Sequence, residues 1–230
     1  MFKSNFIPLL TALLCMPCLA PAADAAPAPP PNLNKAQMLV FFHDHLKGVP
    51  KGSLLDYGFE SVTKDAESFT DHIEIKVTDM VDEHKRDMEF NFLTGDHHID
   101  FTPAKAYRGN PIIVHFLERD IALMAKDTGG YNGYFRNRIR DSFKAPDKVS
   151  EITFELNGKK MDGTEVIVTP FVADRNADKF KLYEHKRYEF IFSDQVPGGV
   201  YRIHTQVPEE NGDAILIDES MTFNTITPAI

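Results

Sequence analysis

Three arginines at alternate positions follow a glycine-rich turn in the run TGGYNGYFRNRIRDSF, Thr128 to Phe143. Their guanidinium groups are planar forks that match carboxylates and phosphates. On a strand, Arg136, Arg138 and Arg140 would share a face with Tyr134 and form an anion-binding row. On a helix each residue advances by about 100°. Arg136 and Arg140 then lie opposite Tyr131, Phe135 and Ile139, while Arg138 sits at the stripe's edge beside Tyr134. The four-residue spacing of Tyr131, Phe135, Ile139 and Phe143 selects the helix. Tyr134 and Arg138 therefore remain as a candidate ligand contact, close to the free N–H groups of the second helix's start at Gly130 to Gly133. The structural alternative is ion pairing with Glu118, Asp120, Asp127 or Asp141.

Histidine pairs suggest a second chemistry. HDH places His43 and His45 near a helix end, and DHH places His97 and His98 at a turn. Imidazoles are common ligands for zinc and copper. Residues two apart on a helix point away from each other, and strand neighbours point to opposite faces. A metal site would thus need one histidine from each pair and a carboxylate such as Asp44, Asp96 or Asp100. This leaves the metal ligand set undefined. The plain expectation has His43 and His45 as exposed polar positions and His98 as an outward strand residue.

No nucleophile elbow, Walker phosphate loop, HExxH zinc motif or dinucleotide fingerprint is present, so no catalytic residue and no cofactor is assigned. DRNAD, Asp174 to Asp178, echoes a calcium loop but lacks its glycine and terminal glutamate. A hydrolase with a site assembled from distant residues stays open as an alternative, as does a histidine-based metal-binding accessory protein.

The elements that must position such groups begin after a leader. Lys3, the apolar run Phe6 to Leu19 and the small-residue pairs Ala20/Ala22 and Ala23/Ala25 read as a signal peptide over 1–25, cleaved after Ala22 or Ala25. The expected destination is the periplasm. Both cysteines lie in that leader, which excludes disulfides and thiolate chemistry from the processed chain. A net charge of -9 disfavours nucleic acid and anionic membrane surfaces. It leaves a basic partner protein as an option, and no later run is long enough to span a bilayer.

A proline-rich linker, 26–33, precedes a region 34–147 with a helix capped by Asn34 and Gln37 and ended by Gly48. Alternation at Leu55/Tyr57/Phe59, Ile73/Ile75/Val77, Met88/Phe90/Phe92 and Ile99/Phe101 predicts antiparallel strands. Two helices joined at Gly129-Gly130 make a helical hairpin. Region 148–230 reads as five short strands, either a small sandwich or a continuation of the first sheet, with a surface loop over Phe171 to Lys181. The fold class is α+β: antiparallel sheet packed against the N-terminal helix and the central hairpin, with a β-rich C-terminal half.

YRGNPIIVHFLERDIALM, TGGYNGYFRNRIR and PGGVY resemble exported proteobacterial proteins of unknown function. The order of helix, meander and inserted helices is loosely similar to periplasmic lipoprotein-carrier proteins. That resemblance implies a curved sheet closing over helices around an apolar cavity. Its expected lining is Tyr57, Phe59, Phe90, Phe92 and Phe116, with an apolar small molecule or lipid as the ligand. The leading expectation is a non-enzymatic binding or accessory protein.

Overall fold

The computed structural model describes residues 32–64, 66–209, 212 and 214–228, so the signal segment and most of the proline-rich linker lie outside the described residues. Helix α1 (Lys35–Gln37) opens with a capping box. The Asn34 side chain accepts from the Gln37 amide at 2.9 Å, and the Asn34 amide donates to Gln37 Oε1 at 3.2 Å. The helix expected to reach Gly48 stops early. Met38–Phe42 form a π-helical turn, and His43 is already extended at ψ 142°. Val40, Phe41 and Phe42 lose rotamer freedom in a helix. The chain gains instead by setting Leu46 and Val49 into the core.

Strands β1 (Leu54–Thr63), β2 (Phe69–Met80), β3 (Arg86–Phe92) and β4 (Ala104–Tyr107) form an antiparallel meander. Helices α2 (Ile112–Thr128) and α3 (Asn132–Ser142) follow. A second meander comprises β5 (Lys148–Leu156), β6 (Lys159–Val168), β7 (Arg187–Phe192), β8 (Val200–Pro208) and β9 (Ile215–Thr227). One nine-stranded sheet results, in the order β4-β3-β2-β1-β9-β8-β7-β6-β5. The first meander ends at one edge and the second begins at the other. The two helices must therefore carry the chain across the sheet, and in doing so they cover its apolar face.

The period-two pattern explains that face. Leu55, Tyr57 and Phe59 of β1, Ile73, Ile75 and Val77 of β2, and Tyr188, Phe190 and Phe192 of β7 are all buried. From the helices, Phe116 meets Phe59 at 6.4 Å, and Phe143 meets Phe190 at 5.4 Å.

Three local expectations are corrected. Ile99 and Phe101 are not a strand: Ile99 makes an isolated bridge to Phe92, and β4 forms only after Pro103, which has no N–H for a ladder. Phe101 packs edge-on to Phe92 and stacks on His115 instead. Tyr131 leaves the predicted stripe, 78% exposed, because α3 starts one residue later. The segment 171–181 is no plain surface loop, since Phe171 and Phe180 are buried against Phe135. Its charged letters hid two core aromatics.

Candidate functional site

The structure separates the residues selected from the sequence into two groups. Tyr57, Phe59, Phe92 and Phe116 are buried in the core between sheet and α2. The Tyr57 hydroxyl accepts from Asn110 Nδ2 at 2.9 Å, and burial pushes its pKa up. The same Asn110 amide donates to the Gly198 carbonyl at 2.8 Å, and Asn110 Oδ1 receives the Ile112 amide at 3.1 Å. One side chain thus fixes the start of α2 to β1 and to the β7–β8 turn. Phe90 is half-buried, edge-on to His115 at 4.4 Å.

Tyr134 and Arg138 come together elsewhere, on the carboxylate of Asp174 in the 171–181 segment. Arg138 Nε lies 2.5 Å from Asp174 Oδ2, and the Tyr134 hydroxyl donates to Oδ1. Arg136 forks onto Glu118, both contacts at 2.6 Å, and Arg140 lies 4.0 Å from Asp141. Arg136 thus ties α3 to α2 and Arg138 ties it to the 171–181 segment, whereas the Arg140 contact stays within α3.

Beneath α2 lies a polar cluster that sequence reasoning missed. Asp120 of α2 is 2% exposed and Lys186 is 1% exposed, with Nζ 2.5 Å from Asp120 Oδ1. The Tyr188 hydroxyl donates to the other oxygen of Asp120. The preceding residue, Arg119, donates to both oxygens of Glu219, at 3.1 and 3.0 Å, while Ser61 donates to Oε1 at 3.0 Å. Burial raises the pKa of Glu219, but Arg119, Lys186 and Ser61 outweigh it, so the carboxyl ends below its usual range. Every carboxylate oxygen of this pair of acids has a donor. The cluster has the chemistry of a fixed tie between helix and sheet.

A cleft of about 790 Å³ opens at the N-terminal segment. Its walls are the stretch 42–49 with Met38, the β7–β8 turn, Ile226, His84 and Arg108. HDH makes one side of it. His43 Nε2 meets Asp194 Oδ1 at 3.0 Å, and His84 Nδ1 meets Asp44 Oδ2 at 2.7 Å. His45 corrects the expectation of an exposed residue: it is 5% exposed, 4.9 Å from the His43 ring and stacked on Phe192 at 5.5 Å. Gly199 makes this approach feasible, because a Cβ there would stand 2.8 Å from the His45 ring.

Neither ring nitrogen of His45 makes a hydrogen bond of normal geometry, and Asp44 Oδ1 is also buried without a partner. Burial, reinforced by His43, lowers the His45 pKa to about 3, against weaker support for the cation from the Leu39 backbone and Asp194. At neutral pH it is an uncharged imidazole with one donor and one acceptor. Lys47 and Arg108 are exposed on the same cleft. A neighbouring cleft of about 360 Å³ shares His43, Asp194, Gln195 and Gly199. The His43–Asp194 pair therefore stands between the two.

These groups can bind and orient, and the His–Asp pairs could move protons. The nearby Ser193 hydroxyl is committed to the Asp162 carbonyl at 2.6 Å. His97 is not in the cleft and stacks on Phe69 at 3.8 Å. Among the described residues no three His, Cys, Asp or Glu side chains are grouped to hold a metal ion.

No family model and no curated protein matches the chain. Solved structures similar in outline include the lipoprotein LppX of Mycobacterium tuberculosis, at 9% identity, covering 81% of this chain and 91% of that one with a TM-score of 0.34. A LolA superfamily protein from Nitrosomonas europaea is similar at 6% identity, covering 85% and 94% with a TM-score of 0.24. At these scores function must rest on this chain's own side chains. Among the described residues no helix is long and apolar enough to cross a membrane.

Proposed function

We propose that this is an exported, periplasmic binding or accessory protein that takes a small amphipathic ligand in the cleft behind its N-terminal segment. The observation that carries the reading is His45, buried with both ring nitrogens unpartnered in the wall of a cleft of about 790 Å³. Buried polar atoms are normally satisfied by protein, water or ligand. The cleft is of the size that holds small molecules. Met38, Phe42, Val49, Val196 and Ile226 supply apolar wall for an acyl or similar chain. Tyr57, Phe59, Phe90, Phe92 and Phe116 line neither cleft and belong to the core between sheet and helices, and Tyr134 and Arg138 form a separate brace.

The test is native mass spectrometry of the processed chain from a periplasmic fraction, followed by calorimetric titration with ten-carbon amphiphiles. An adduct or a saturable heat is expected, weakened about tenfold by Phe42→Asp, which puts a charge on a half-exposed apolar wall residue. An adduct-free mass together with no heat from any amphiphile sinks the reading. Mass measurement also locates the processed N-terminus, expected after Ala22 or Ala25.

A further inference from the structure

We infer that the ligand of this cleft carries an anionic head group, held by Lys47 and Arg108 with the His45 imidazole as a hydrogen-bonding partner. This rests on the binding reading above and adds the class of head group.

The charges of the cleft divide unequally between paired and unpaired. Its two carboxylates are each engaged by a histidine: Asp194 by His43 at 3.0 Å, and Asp44 Oδ2 by His84 at 2.7 Å. Its two permanent cations have no such answer. Neither the Lys47 ammonium nor the Arg108 guanidinium has a hydrogen-bond or ion-pair partner among the described residues. Arg108 is also held close to the HDH stretch. A Cβ on its neighbour Gly109 would stand 3.2 Å from the His43 carbonyl and 3.6 Å from His45 Nδ1. The loop before α2 therefore lies directly against the two histidines.

Such a set suits anionic oxygens next to an apolar body. The guanidinium offers a fork and the ammonium a point charge. A neutral imidazole can donate one N–H to an oxygen without adding charge. Asp44 Oδ1 still needs a donor, which a bridging water can provide. A quaternary ammonium head would be repelled by Lys47 and Arg108 and has no N–H to give Asp44 Oδ1. A carboxylate and a phosphate monoester share the fitting chemistry, since each brings anionic oxygens on a small head.

The experiment holds the chain length constant and changes the head. Decanoate, decyl phosphate, decanol and decyltrimethylammonium are titrated below their aggregation limits into the processed full chain. At least one of the two anions should bind ten times more tightly than decanol and the cation, with affinity falling as salt rises. Comparing the two anions distinguishes carboxylate from phosphate as the head. The double variant Lys47→Gln, Arg108→Gln changes exposed side chains and should keep the fold. It should lose about tenfold for the preferred anion and leave decanol binding unchanged. Equal binding of all four heads, or full anion affinity in the double variant, overturns this inference while the binding reading stands. No binding of any head removes both.

Discussion

Two interior regions of this protein hold polar groups, one beneath α2 and one behind the N-terminal segment, and they are finished differently. Beneath α2 the acids Asp120 and Glu219 receive hydrogen bonds at all four carboxylate oxygens, from Lys186, Tyr188, Arg119 and Ser61. Behind HDH, His45 and one oxygen of Asp44 are buried with no partner. The first region contains full charges, and the second relies on an imidazole kept neutral. Completed hydrogen bonding makes the first a structural tie. The incomplete set in the second leaves groups for a ligand or water to satisfy.

The largest effect should come from opening the completed region. Asp120→Ala leaves Lys186 buried without its counter-ion and Tyr188 without its acceptor. Loss of one partner of a buried pair costs about 3–5 kcal/mol, and urea unfolding should show it. Replacing both partners, Asp120→Leu with Lys186→Met, should recover most of that loss, because burying two charges was itself expensive. A cost under about 1 kcal/mol for the single change would erase the contrast between the regions.

Acid acts on the unfinished region. Unfolded histidine takes up a proton near pH 6.5, whereas native His45 resists until about 3 and native His115 until about 4. The unfolded state then binds more protons between those values, so stability falls as pH drops below 6.5. Each group contributes a slope of up to about 1.4 kcal/mol per pH unit, or roughly 2 kcal/mol between pH 6.5 and 5. His98, exposed and pushed up by the Leu93 carbonyl and Asp100, works the opposite way. His45→Phe keeps a ring against Phe192 and should remove one of the two downward slopes. Denaturant unfolding at pH 7, 6 and 5 measures it; an unchanged slope in the variant would place the burial of His45 in doubt.

These same regions show what a sequence can display. The alternation at Leu55, Tyr57 and Phe59 or Tyr188, Phe190 and Phe192 is local, and so is the Asn34–Gln37 cap, so the α+β class and most strands were readable. Ile99 and Phe101 alternate equally well, yet Pro103 and the packing on His115 move the edge strand to Ala104–Tyr107. The site was much less visible. Asp120 and Lys186 look like ordinary surface charges in a chain with 26% charged residues, and only a pairing across 66 positions buries them. HDH was a signal for half of the cleft. His84, Arg108 and Asp194 join it through the fold, with no mark in their neighbours.

The three arginines of α3 carry the same contrast to the surface, where effects are smallest. Arg136 meets Glu118 with both side chains well exposed, at 49% and 32%. Such a pair is screened by solvent and contributes about 0–1 kcal/mol. Arg138 meets Asp174, whose side chain is only 3% exposed and also receives the Tyr134 hydroxyl and the Asn176 amide. Removing its partner leaves a nearly buried carboxylate partly unanswered, while the remaining donors limit the loss. Arg138→Gln should therefore cost about 1 kcal/mol and Arg136→Gln less than about 0.5. Burying the acceptor, more than drawing the ions together, decides which arginine matters. Thermal unfolding of the two variants side by side tests that ordering, and a larger loss at Arg136 would reverse it.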